Sequence, residues 1–321
     1  MTGRRRSQPW LTRQLKISKG IVMRPGALRA ATAKAAARLG KMRTRLTAGE
    51  KPNRKRMAAL VTVYDAEPAK RRPHDVIAPP GGRNGTRPLR PGPKARAKWL
   101  AGSVRKDPAD MIAAAFDEAE ARDPGHLRTW VVLVDGAEHQ LDLIRAEAAR
   151  RAVTIHIVID LIHVLEYIWK AAWSLHDAGD PAAEDWVAAK ALQVLAGGST
   201  RAAEEITAQA GSAGLTPSRR TGADACVRYL SARHEYLRYD QALTEGWPIA
   251  TGVIEGACRH LIADRLDIGG ARWGLDGAEA VLTLRAVISN GDFEEYWSYH
   301  LAREHQRLYP GTKQGEYTLG A

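Results

Sequence analysis

Residues 129–160 read TWVVLVDGAEHQLDLIRAEAARRAVTIHIVID, and the order of patterns in this stretch decides the fold. TWVVLVDG (129–136) is a continuous apolar, β-branched run closed by Asp-Gly, as expected of a strand buried on both faces. AEHQLDLIRAEAARRA, which follows, has the apolar spacing of an amphipathic helix. VTIHIVID (153–160) then returns to strand character. Strand, helix, strand with short connections is a crossover unit, and a crossover makes its two strands parallel. Each strand ends in an acid, Asp135 and Asp160. Open α/β sheets bind ligands at the C-terminal ends of their parallel strands, so both carboxylates are site candidates. Gly136 lets the chain turn behind Asp135. Taken singly, an Asp in such a place is also an ordinary turn former or helix N-cap.

Working outward, MAALVTVYD (57–65) and KWLAGSV (98–104) predict two further strands, and DPADMIAAAFDEAEAR (107–122) a helix opened by Asp-Pro. The Pro, Gly and Arg of residues 66–96 predict a loop, and LRAATAKAAARLGKM near the start predicts a basic helix. Beyond Asp160 the pattern is helical. LIHVLEYIWKAAWSLHDAG is one long helix, and residues 180–245 alternate helical periodicity with breaks such as AGGST and AGSAGLTPS. The last block, PIATGVIEGACRHLIADRLDIGGARWG, predicts a helix from near Gly252 to Gly269–Gly270, with Glu255 in its first turns. If another strand precedes residue 57, this order is that of an α/β, ribonuclease-H-like core. The chain then divides into a basic segment with the first core strand (1–56), the core (57–179), an all-helical insertion before the third acid (180–245), and C-terminal core helices (246–321).

At 321 residues and 45% hydrophobic composition the chain can bury a substantial core. Its longest apolar runs, VVLV and IVIDLIHVL, fall short of the roughly 20 residues of a membrane-spanning helix. MTGRRRSQPW has charge but no apolar segment behind it, so no secretory signal is expected and the expectation is a cytoplasmic, nucleoid-associated protein without a membrane partner. Cys226 and Cys258 are too few for a disulfide framework. The net charge of +12 conceals two opposite halves: residues 1–105 hold 27 Lys and Arg against 4 Asp and Glu, and residues 106–321 hold 21 against 32. Cations that hold phosphates joined to carboxylates that hold metal suit a nucleic-acid enzyme; a solvated basic tail would give the same imbalance.

Seven motifs, in order, carry a resemblance: GIVMRPGALRAAT, TRLTAGEKPNRKRMA, VYDAEP, WVVLVDG, Asp160-Leu-Ile-His163 with its LEYIW, GVIEGACRHLIADRL and GGARWG. From about Ile17 to the C-terminus the chain resembles the DDE transposases of the Kra-type bacterial insertion sequences, within the Mutator-like superfamily. That resemblance implies a ribonuclease-H-like fold, DNA cleavage and strand transfer with two Mg²⁺ (or Mn²⁺) ions, element ends and target DNA as partners, and a homo-oligomer in the active family. It implies Asp135 as the second catalytic and metal-binding acid and Glu255 as the third. Asp160 and His163 match the D-x-x-H element between them, where Asp160 is not expected to ligate metal and His163 is placed to bond back to it. Arg272 and Trp273 match an RW element that contacts DNA; Trp273 would equally well close the core after the Glu255 helix. Trp169 and Trp173 read as core. Arg54, Lys55 and Arg56 are the DNA-contact candidates of the basic half.

The pattern departs at the first acid. The family opens its catalytic strand with Asp-Gly-Lys-Gly, and here that place reads Ile17-Ser18-Lys19-Gly20. Only about 16 residues precede it, where the family carries a DNA-binding region. The expectation is an N-terminally truncated, decayed copy, inactive for cleavage, with Asp65 a weak substitute for the missing acid. The alternative is a non-catalytic DNA-binding remnant that modulates intact transposase.

Overall fold

The computed structural model describes residues 58–80, 89–266 and 273–309 together with the backbone of Trp10–Ile17. The protein is mixed α/β. Its strands are β1 (Trp10–Ile17), β2 (Ala59–Ala66), β3 (Ala95–Ser103), β4 (Trp130–Val134) and β5 (Ile155–Ile159). They form one sheet in the order β3-β2-β1-β4-β5. β1 is antiparallel to β2, and β2 to β3; β1 and β4 are parallel, as are β4 and β5. A strand does precede residue 57, and it lies at the centre of the sheet. The predicted loop 66–96 contains one helical turn, Pro73–Val76, and its last residues belong to β3.

Helices α1 (Pro108–Arg122) and α2 (Glu138–Arg150) follow β3 and β4, and α3 (Leu161–Leu175) follows β5. The segment expected to be an all-helical insertion, 180–245 (the insertion), holds α4 (Pro181–Leu195), α5 (Ser199–Ser212), α6 (Pro217–Ala232) and α7 (Tyr239–Glu245). The chain then returns through α8 (Gly252–Ala257), a π-helical stretch (Cys258–Ala263), α9 (Leu275–Asn290) and α10 (Phe293–Leu308). The single helix expected after Gly252 therefore changes its winding at Cys258. Gly269 and Gly270, its expected end, lie outside the described residues, as does the basic helix near the start.

Strand alternation divides the core. Val61 and Val63 of β2 join Met111, Ile112 and Phe116 of α1 in the larger apolar cluster. Ala58 and Leu60 point the other way, into a second cluster with Ile254, Leu261 and Leu282. All five residues of β4 are buried, which is why its sequence is an unbroken apolar run. The edge strand β3 is covered by α9: Asn290 exchanges bonds with both backbone groups of Leu100 (2.8 and 3.1 Å), and Glu279 accepts from Val104 N (2.8 Å) and the Ser103 hydroxyl (2.7 Å). These contacts block pairing to a foreign strand. Where α3 and α6 cross, a Cβ at Gly222 would lie 2.1 Å from the Lys170 carbonyl oxygen, so only glycine permits the approach.

Asp123, buried at the end of α1, fixes the entry to β4. Its carboxylate accepts from Leu127 N (2.9 Å), Arg128 N (3.0 Å) and the Trp130 indole (2.9 Å). Burial opposes its charge, but these donors outweigh burial and lower its pKa. Asp123→Ala should cost about 2–4 kcal/mol at neutral pH, because three donors lose a charged acceptor. A depressed carboxyl pKa contributes stability above the unfolded value of about 3.9 and loses it as pH falls through the folded value. Urea denaturation of parent and variant should accordingly show a gap that narrows below about pH 4; a gap independent of pH would show that the charge of Asp123 contributes nothing.

Candidate carboxylate site at the sheet end

Asp135 and Asp160 emerge at the C-terminal ends of adjacent parallel strands, and the insertion folds back to hold both ends. At β4, the Tyr229 hydroxyl donates to Asp135 O (2.9 Å) and Arg233 Nε donates to Gly136 O (2.9 Å). Arg233 also pairs with Glu138 at the start of α2 (2.7 Å). Gly136 has φ +86°, and a Cβ there would lie 3.0 Å from both Ile159 Cδ1 and the Tyr229 hydroxyl. The turn thus needs glycine for its backbone and for its space. At β5, the buried Tyr239 hydroxyl donates to Ile159 O (2.8 Å). Two tyrosines of the insertion therefore cap carbonyls at the two strand ends.

The Asp135 carboxylate is half-buried and accepts from Ala137 N (3.1 Å), the turn-forming bond an Asp makes in this position. Asp160 is different. It is buried, and its oxygens accept from Ile162 N (3.0 Å) and from the Thr251 hydroxyl. Burial pushes its carboxyl above the ordinary aspartate range; the bonds from Thr251 and Ile162 pull the other way, and the Glu255 charge adds to the rise. Leu161 N donates to Ile249 O (2.9 Å) beside it. The chain returning from the insertion is thus fastened to the end of β5 at residues 249–251, one residue before α8. Glu255 sits on the exposed side of α8, while Ile254 and Ala257 face Ala58 and Leu60 in the second core cluster.

The three acids share one end of the sheet. Asp135 and Asp160 both act electrostatically on the Tyr229 hydroxyl, and Glu255 acts on Asp160. The register Leu11↔Trp130 through Gln14↔Leu133, continued along the strands, brings Lys16 level with Asp135 and Ile17 level with Gly136. Ile17 closes β1 at this same end.

Several expectations need correction. His163 does not bond back to Asp160: its Nδ1 faces Glu166 (3.4 Å) and its ring packs edge-on against Tyr167 and Tyr229. The Asp160 carboxylate is turned toward Ile162 N and Thr251, so the histidine reaches forward instead. Asp65 does not replace the first acid. It is paired with Leu11, six residues before Ile17, so it lies roughly 20 Å away toward the other end of β1, where Arg128 (3.1 Å) and Arg122 (3.6 Å) hold it. Trp273 packs against the cluster of Ile254, Leu261 and Leu282, closing the core. Trp169 packs on the main core with Trp173 stacked on it at 5.3 Å, but Trp173 itself is 46% exposed. Arg54, Lys55, Arg56 and Arg272 lie outside the described residues.

Among the described residues no group of three or more His, Cys, Asp or Glu could hold a metal ion. Asp160 is buried with its oxygens engaged, and the end of β1 beside Asp135 and Gly136 carries Lys16 and Ile17, neither of them an acid. Asp135 and Glu255 alone do not fit a bridged metal pair. Sequence reasoning missed Tyr229, Arg233, Tyr239 and Thr251; the tyrosine-rich run YLSARHEYLRY (229–239) is the signal that the insertion returns to a polar strand end.

The chain matches no protein-family model, no curated protein and no solved structure.

Thr251→Val should destabilise the protein by about 1–3 kcal/mol, since it leaves a buried carboxylate short of a donor. Hydrogen exchange should speed first at Leu161, whose amide depends on the same docking, while Thr251→Ser keeps both properties. Unchanged exchange at Leu161 in Thr251→Val would show that the hydroxyl does not fasten the return of the insertion.

Proposed function

We propose that the chain is a DNA-binding protein on the plan of a DDE transposase, with a ribonuclease-H-like core whose strand-cleavage centre is defective. The observation that carries this reading is the sheet order β3-β2-β1-β4-β5 with β1, β4 and β5 parallel, which is the connectivity expected of that core, together with Asp135 and Ile17 at neighbouring strand ends. Glu255 approaches the same end after an all-helical insertion, as the transposase resemblance implies. In the intact plan, two Mg²⁺ or Mn²⁺ ions would activate a nucleophile and stabilise the leaving oxygen of a phosphodiester. The residues present here do not fit that ion pair, so no cleavage step is assigned to this chain.

What remains is DNA binding. The excess of 23 positive charges over residues 1–105 favours contact with phosphate, and the Arg54-Lys55-Arg56 run is its proposed focus. On this reading the partner is duplex DNA, and the protein modulates intact transposase by occupying element ends.

Two measurements on the full chain test the proposal. With Mg²⁺ or Mn²⁺ and terminal-repeat DNA from matching elements, the parent should neither cleave nor join strands. Ile17→Asp should recover at most slight activity, and adding Asp135→Ala should abolish it. Robust metal-dependent activity of the parent would overturn the defect. Fluorescence anisotropy on a random-sequence duplex should show affinity falling steeply with salt, and neutralising Arg54, Lys55 and Arg56 to Gln should flatten the log–log slope by up to about 3. An unchanged slope would remove these residues from the DNA contact.

A further inference from the structure

The helical hairpin that ends the described chain has a face that no described residue covers. Among the described residues, eight of the twelve exposed large apolar side chains lie between Leu284 and Tyr309. Helix α10 (Phe293–Leu308) buries no residue at all. A 16-residue helix is marginal in water without packing of an apolar face. Yet Phe293, Trp297, Leu301 and Leu308 recur at spacings that place them on one side, and Leu301 and Leu308 are 53% and 58% exposed. Phe293 and Trp297 stack at 6.0 Å, so the stripe begins as an ordered aromatic surface. Leu284 and Ile288, four apart on α9, are exposed too.

Charge selects the occupant. Around α10, Asp292, Glu294, Glu295 and Glu304 outnumber Arg303 and Arg307, and Glu304 already pairs with Arg307 at 2.8 Å. Such a face repels phosphate and does not suit DNA. Its charges are also unevenly placed: the first turn carries Glu294 and Glu295, and the last two turns carry Arg303, His305 and Arg307 with Glu304 among them. Two copies laid antiparallel place the acidic end of each against the basic end of the other, align the helix dipoles favourably, and cover both apolar stripes. We propose that α10 pairs antiparallel with α10 of a second copy, making a two-fold symmetric dimer whose axis passes near His300 and Leu301. At roughly 24 Å the helix is long enough for the two ends to be separated by three turns of apolar contact.

The test uses the full chain without DNA or metal, so its outcome is independent of the proposed nucleic-acid function. Sedimentation velocity across a concentration series should show a dimer for the parent and at least a tenfold weaker one for Leu301→Glu, with unchanged far-UV circular dichroism. Glu294→Lys with Glu295→Lys should weaken the dimer, as should Arg303→Glu with Arg307→Glu, and all four together should restore it. Leu301→Cys should form a covalent dimer under mild oxidation where the parent, with Cys226 and Cys258 only, does not. Removing residues 311–321 should leave the dimer intact. A parent that is monomeric throughout, a dimer indifferent to Leu301→Glu, or dimerisation only after the tail is removed would each overturn the proposal, the last by naming the tail as the occupant.

Discussion

The Asp160 carboxylate is the constraint on which the sheet end depends. A buried carboxylate is costly unless its oxygens find donors, and here one donor, Ile162 N, is local while the other, the Thr251 hydroxyl, lies 91 residues further along the chain. Satisfying Asp160 therefore requires the segment 249–251 to return to the end of β5. The start of α8, the orientation of Glu255 and the packing of Ile254 on Ala58 and Leu60 follow from that docking. The insertion serves the same end twice more, through Tyr229 at β4 and Tyr239 at β5. It is a brace for the strand ends as well as an appended layer.

This division of labour explains which parts of the molecule were legible in the sequence. β4 could be read because a strand buried throughout is a plain apolar run, β5 because its β-branched residues run up to Asp160 even at the half-buried sheet edge, and the helices of 180–245 because Pro and Gly punctuate them at Pro181, Gly197–Gly198 and Pro217. β1 could not be read from its own residues. WLTRQLKI mixes Arg13, Gln14 and Lys16 with apolar side chains, the pattern of a half-exposed strand, yet its place is the centre of the sheet. The π-helical stretch at Cys258–Ala263 left no trace because its apolar residues fit an α-helix equally well.

At this sheet end the positions of the acids were legible and their partners were not. Asp135, Asp160 and Glu255 were visible as acids at strand ends or in a small-residue helix, and all three lie at one end of the sheet. The bond expected between His163 and Asp160 failed for a local reason: an N-cap carboxylate turns toward the first free amide of its helix, here Ile162 N, and away from a side chain one turn later. The contacts that hold the site are long-range bonds from tyrosine, arginine and threonine to backbone and carboxylate, and no local pattern encodes a bond across 80 to 97 residues.

On the proposed reading, this is a transposase-like scaffold whose strand ends are intact and whose first metal-bridging position holds isoleucine. The most direct measurement is a Mn²⁺ titration followed by electron paramagnetic resonance on the parent, Ile17→Asp, and Ile17→Asp with Asp135→Ala. The parent should show only weak, non-stoichiometric binding, Ile17→Asp should gain a stoichiometric site, and Asp135→Ala should remove it. Stoichiometric binding by the parent, or no gain on introducing the carboxylate at position 17, would contradict the idea of a site one acid short.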